Sequence, residues 1–417
     1  MVNRTNTTVI KVLYVVTMAI SFTTRYADFS MKNNHLQIYI GMFWILVSFA
    51  QLAINGFRFK NNINREIPFF LKIYFLPAIL IHLYTIILII IGVVPKAYLR
   101  TNVSTYIPVL VAIFSIYLFG YDAWKYNFIA LIGSWSLAVF VSLLIKGPLI
   151  FPHAIVQAYI DPYDKMGGFI YNYLELHDVV LAIGYVLVYY IFSKEKLTRK
   201  NLFFIIATLN VMVLGMKRIS VLAIILAAFF HCVVKRFSDK KQYCICKIAG
   251  WAAFILCFVY IYVLTDGSTF FDYMSSLGVN VMGRNYYFSA IASKIRFTPT
   301  FLGLGRHAVA QLFSGELSYM NVGGVHNDIL KMYAENGFIV FSAWLLYYLV
   351  YILKKYKEHF DSKAALIYFG ATIYAFTLYL TDNTEVYFIC QIFLILIPAC
   401  NALKSKYCFE AFTTEGD

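Results

Sequence analysis

Apolar runs of roughly 17 to 25 residues recur along the whole chain, the length at which a helix rising 1.5 Å per residue crosses a hydrocarbon core. Shorter amphipathic stripes, the mark of helices packed on a soluble core, do not account for them. The runs place spans at about 8–24, 36–57, 69–94, 104–120, 127–146, 174–192, 201–216, 218–234, 248–264, 336–353, 364–381 and 386–403. They predict an all-α polytopic membrane helix bundle of about 12 transmembrane helices, one integral membrane domain over 1–417. Hydrophobic residues make up 61% and charged residues 13% of the chain, against about one quarter charged in a soluble domain.

The net charge of +14 does not indicate a nucleic-acid partner, because the basic residues sit in short clusters between apolar runs, with no basic domain or RNA-binding motif. With the N-terminus inside, most of the 35 basic residues fall on the inward segments, as the positive-inside rule requires. This predicts a multi-pass membrane protein with both termini cytoplasmic. The seven cysteines lie within spans or on the inward side, where thiols stay reduced. Cys244-x-Cys246 lacks the second ligand pair a zinc site needs, so ordinary thiols are expected. The first apolar run, Val12 to Phe22, follows Arg4 and Lys11 with no small-residue cleavage site behind it, and reads as an uncleaved helix.

Two outward segments are long, 147–173 and 265–335, and loops of that length are where function concentrates. The longer one contains Gly283-Arg284-Asn285-Tyr286-Tyr287-Phe288, then Pro299, then Gly303-Leu304-Gly305-Arg306-His307. It ends in His326-Asn327-Asp328 and Glu335-Asn336-Gly337. This order, over about 55 residues, resembles the O-antigen ligase and polymerase superfamily. Gly215-Met216-Lys217-Arg218, opening a helix rich in small residues, is similar to that family's second arginine site. Leu174-Glu175-Leu176-His177-Asp178 looks like Wzy-type polymerase sequences.

The resemblance implies a GT-C-like membrane glycosyltransferase with a large outward (periplasmic) loop carrying the active site. It would join oligosaccharide repeats carried on undecaprenyl pyrophosphate, as donor and acceptor, into O-antigen or capsular/exopolysaccharide, with a chain-length regulator as a possible partner and membrane lipid around it. The chemistry asks for such residues independently. A transferase outside the cytoplasm needs a donor activated in advance, and a pyrophosphate leaving group is gripped bidentately by guanidinium groups that never lose charge.

The catalytic candidates are therefore Arg218 and Arg284 on the pyrophosphate, His326 as base or phosphate donor, and Glu175 or His177 as the base in its place. Lys217, Arg306, Asn327, Glu335, Tyr286 and Tyr287 are the substrate-binding candidates. No cofactor and no metal are expected: the first outward loop offers only Asp28, and Asp161-x-x-Asp164 reads first as a turn.

Each residue also has a plainer reading. Lys217 snorkels to headgroups, Arg284 pairs with Asp272 or Glu316, His326 serves as a helix cap, and Asp328, Lys331 and Glu335 form a ladder at helical spacing. Most tyrosines belong to interfacial belts. Two other functions stay open: an O-antigen ligase transferring glycan to lipid A-core, and a lipid-linked oligosaccharide flippase or transporter. The transporter fits less well because few ionisable residues lie mid-span.

Overall fold

Helix is the only regular element among the described residues, as expected for a chain whose backbone groups must pair within the segment wherever lipid replaces water. The computed structural model describes residues 4–23, 35–57, 62–95, 105–149, 152–153, 156, 177–193, 195, 197–215, 217–265, 273, 276–277, 284–320 and 324–413. Among the described residues, six helices are long and apolar enough to cross a membrane: Leu36–Ile54, Ile63–Ile90, Tyr106–Val141, Asp239–Thr265, Asp328–His359 and Phe388–Tyr407. Shorter apolar helices cover Thr8–Thr23, Asp178–Phe192 and Arg218–Val234.

The chain divides into two units. The first comprises Met1–Leu71, Ile107–His231 and Tyr387–Asp417. Its helix His177–Phe192 is apolar on every side, and Val179, Leu181, Ile183 and Val186 are wholly buried. It packs against Phe388–Thr413 and against Arg199–Gly215. A Cβ on Gly215 would stand 2.2 Å from Cγ2 of Val180, so the last turn of its helix approaches its neighbour only because glycine is there. Helix Arg4–Thr23 packs on Ala123–Lys146, where the buried hydroxyl of Tyr14 donates to Oδ1 of Asn127 at 3.0 Å. Toward the end of Phe388–Thr413, Lys404 pairs with Glu195 and Lys406 with Glu66. Burial pushes the Glu195 carboxyl up, but Lys404 and Tyr189 outweigh it and hold the group below its ordinary value.

The second unit comprises Lys72–Tyr106 and Cys232–Val386. Its helix Asp239–Thr265 packs on Ser362–Tyr379 and on the π-helical turn Tyr347–Tyr351. Gly250 permits that approach, since a Cβ there would lie 2.5 Å from the carbonyl oxygen of Leu349. The opposite face exposes Ile248, Ile255, Leu256 and Val259, the pattern of a helix solvated by lipid. Wide π turns release carbonyls, and tyrosines take them up: Tyr347 donates to Ile73 O at 3.2 Å and Tyr368 to Tyr348 O at 2.6 Å. Tyr74 and Tyr356 share a buried hydroxyl–hydroxyl bond of 2.8 Å.

The expected outward segment 265–335 carries structure of its own, with helices Arg284–Ala292 and Ala308–Ser314 and, from Asp328 on, the start of the next long helix. Of the segment 147–173, only 147–149, 152–153 and 156 are described.

Candidate functional site

Helix Asp328–Leu346 is broken at Gly337, whose backbone stands at φ 71° and ψ −179°. The break leaves the carbonyls at the end of the half-helix 328–336 without intrahelical partners. The glycine-rich segment supplies them: Leu304 N–H donates to Ala334 O and Gly305 N–H to Glu335 O, both at 2.8 Å. Beyond the break, Phe338 N–H donates back to Phe301 O at 2.9 Å. Two backbones touch here. A Cβ on Gly303 would lie 2.5 Å from Gly337 N, and one on Gly337 would lie 2.3 Å from Phe301 O. The Gly-x-Gly at 303–305 and the Glu-x-Gly at 335–337 are thus the two halves of one contact.

That contact delivers Arg306 into the interior of the unit. Its guanidinium bonds Glu385 and lies 3.7 Å from Glu335, while Lys331 pairs with the other Glu385 oxygen at 2.8 Å. Glu335 also accepts from Val309 N–H at 3.3 Å. Arg306 is 6% exposed and Glu335 not at all. Both substrate-binding candidates therefore sit within a buried cluster of four charges, where removing one partner strands the other. Besides the helical spacing of Asp328, Lys331 and Glu335, off-helix pairs join Lys331 to Glu385 and Glu335 to Arg306. Asp328 accepts from Glu385 N–H at 2.7 Å. Burial raises the Glu385 carboxyl, but Arg306 and Lys331 together hold it down at about 2. His307, beside them, is lowered to about 3 by burial and then by the same two cations.

At the start of the half-helix, Asn327 is the N-cap: its Oδ1 accepts from Leu330 N–H at 2.9 Å, and its Nδ2 donates to the Tyr260 hydroxyl. Tyr260 in turn donates to Leu380 O at 3.4 Å. His326 therefore precedes the cap, in the left-handed region at φ 49°. Its side chain is 33% exposed, with Nδ1 3.8 Å from Asp382 Oδ1 and 3.4 Å from Asn383 Nδ2. A ring carrying its proton on Nδ1 directs it toward Asp382 and leaves the Nε2 lone pair free, whereas the other tautomer accepts from Asn383 at Nδ1. Arg284, the first residue of its helix, donates from Nη2 to Thr381 O at 3.2 Å. One turn, 380–385, thus meets Tyr260, Arg284, His326, Arg306 and Lys331 in succession. Sequence reasoning passed over it. The available signal was Thr381-Asp382-Asn383-Thr384-Glu385, five polar residues between two apolar runs.

The remaining candidates are placed as follows. Tyr286 is exposed, and Tyr287 packs edge-on against Phe313 at 6.2 Å. Glu316 is engaged by Lys294 at 2.7 Å and is not the partner of Arg284, while Asp272 lies outside the described residues. Arg218, exposed, opens helix Arg218–Val234 of the first unit. Lys217, half-buried, precedes it, and its carbonyl accepts from Ser220 N–H at 3.1 Å. His177 opens helix His177–Phe192, but its side chain lies outside the described residues, as do Glu175, Asp28, Asp161 and Asp164. Among the described residues, no three His, Cys, Asp or Glu side chains are grouped so as to hold a metal ion. The chain matches no protein-family model and no curated protein.

Proposed function

We propose that this chain is a Wzy-type polysaccharide polymerase, a GT-C-like inner-membrane glycosyltransferase of about twelve spans with both termini cytoplasmic. The observation that carries the reading is the turn 380–385, on which an exposed-side histidine, its carboxylate and an arginine converge. The acceptor is the sugar hydroxyl at the non-reducing end of a new lipid-linked repeat. Its oxygen attacks the anomeric carbon of the growing glycan as the bond to undecaprenyl pyrophosphate breaks, and the bonding pair leaves with the pyrophosphate. Arg284 stabilises that developing charge, and His326 takes the hydroxyl proton. Asp382 beside Nδ1 suits an imidazole that becomes positive during the step, leaving Nε2 for the acceptor. Arg306 and Glu335 act in this scheme by holding the half-helix and the turn together.

The test is the glycan ladder of cells whose only copy carries His326→Ala, run beside a membrane immunoblot. A general base contributes about 10²- to 10⁴-fold, so long chains should vanish at normal protein abundance while single repeats on the core accumulate. A near-normal ladder at normal abundance rejects the assignment. Accumulation of core bearing no repeat at all would favour ligase over polymerase.

A further inference from the structure

Helix Asp239–Thr265 has 27 residues and so runs about 40 Å, roughly 10 Å more than a hydrocarbon core. Its apolar stretch starts at Ile248, so the surplus is the first two turns, and these are basic. Lys240, Lys241 and Lys247 are all exposed, and the preceding turn adds exposed Lys235 and Arg236, against a single acid, Asp239. None of the ion pairs among the described residues involves these five cations. At 100° per residue, Lys240, Lys247, Ile248, Trp251 and Ile255 fall on one face, and the last three are exposed apolar side chains. The same face continues into an apolar cavity of about 420 Å³, lined by Phe254, Phe258, Tyr262, Phe297 and Phe338.

Cations, then aliphatic side chains flanking an indole, then a groove, in that order along one helix, match the headgroup and acyl chains of a phospholipid. We infer that this face is a binding site for an anionic phospholipid, with its phosphates on Lys240, Lys241 and Lys247 and its acyl chains along Ile248, Trp251 and Ile255 toward the groove. Charge bias alone would account for basic residues on this side of the membrane. It does not require that they stand unpaired above a continuous apolar stripe. A soluble acidic protein would be served by the cations but would leave that stripe without a role. The site is independent of the sugar-transfer chemistry.

The experiment uses the full chain, purified in detergent, stripped of lipid, and titrated with cardiolipin or with phosphatidylethanolamine while bound lipid is counted by native mass spectrometry. Cardiolipin should bind at least about tenfold more tightly, and the preference should fall as salt rises from about 0.05 to 0.5 M. The triple substitution Lys240→Gln, Lys241→Gln, Lys247→Gln should abolish it and the three Lys→Arg changes preserve it, while Trp251→Ala should weaken both lipids. Equal affinity for the two lipids, or a preference that survives the glutamines, overturns the site. Should the glutamine variant fail to insert, the salt series on the wild type decides, and a salt-independent preference overturns it equally. Binding of a poly-glutamate peptide in place of cardiolipin would give the patch to an acidic protein and also overturn it.

Discussion

Arg284 gives one N–H to the carbonyl of Thr381, and among the described residues no carboxylate pairs with it. A lysine in its place would keep the charge but lose the planar fork that matches two phosphate oxygens. Arg284→Lys should therefore lower polymerisation by about 10²-fold or more, read as glycan chain length at equal protein abundance; wild-type lengths would remove Arg284 from the pyrophosphate site. His307 yields a prediction of a different kind. Its folded value of about 3 lies below the ordinary 6.5, so in acid the unfolded chain binds a proton that the folded one refuses. Stability is complete above about pH 6.5 and declines as pH falls toward 3. Glu385 has the opposite starting point, an acid lowered to about 2 from 4.5. Its contribution is intact above 4.5 and is lost only below that. Between pH 6.5 and 4.5 the melting temperature of the wild type should drop relative to that of His307→Asn, a variant that tolerates the left-handed backbone. Equal slopes for the two would show that His307 is not the group responsible.

At the scale of elements, the broken helix organises the site. Its first half carries Lys331 and Glu335 and is capped by Asn327; its break is held open by the segment 301–305; and its charges fasten the turn that faces Arg284 and His326. A methyl at Gly337 would meet backbone atoms at 2.3 Å, and backbone cannot swing aside. Gly337→Ala should cost more than about 3 kcal/mol, because steric overlap adds to left-handed strain. Gly92→Ala is the control: φ is 77° with nothing within 4 Å of the added methyl, so it should cost only about 1 to 2 kcal/mol. Thermal melts of the two variants that shift equally would mean that the contact between the two motifs is not tight. The same geometry explains why Arg306 and Glu335 read as ligands from sequence. Charged residues beside glycines at a loop are a common signature of binding, and only the partner Glu385, 50 residues downstream of Glu335, reveals an internal lock.

For the whole molecule, the testable property is sidedness. Cysteines placed at Ser276 and Ser314, both exposed, should react with a membrane-impermeant thiol reagent in intact spheroplasts. Native Cys244, exposed in the fold and on a segment expected to face inward, should stay protected until the membrane is opened. The reverse pattern would invert the topology. The sequence by itself determined that the chain is helical and built for lipid, because run length and the cost of unpaired backbone groups in hydrocarbon leave few other solutions. It also located Arg284, His326 and the two glycine motifs, since each interrupts an otherwise apolar text. It did not determine what those residues touch. That Gly303 fits against Gly337 and that Asp382 stands beside the imidazole are consequences of tertiary packing. Contacts between residues 34 to 56 positions apart leave no periodic trace in a single chain, and only the folded backbone brings them within hydrogen-bonding reach.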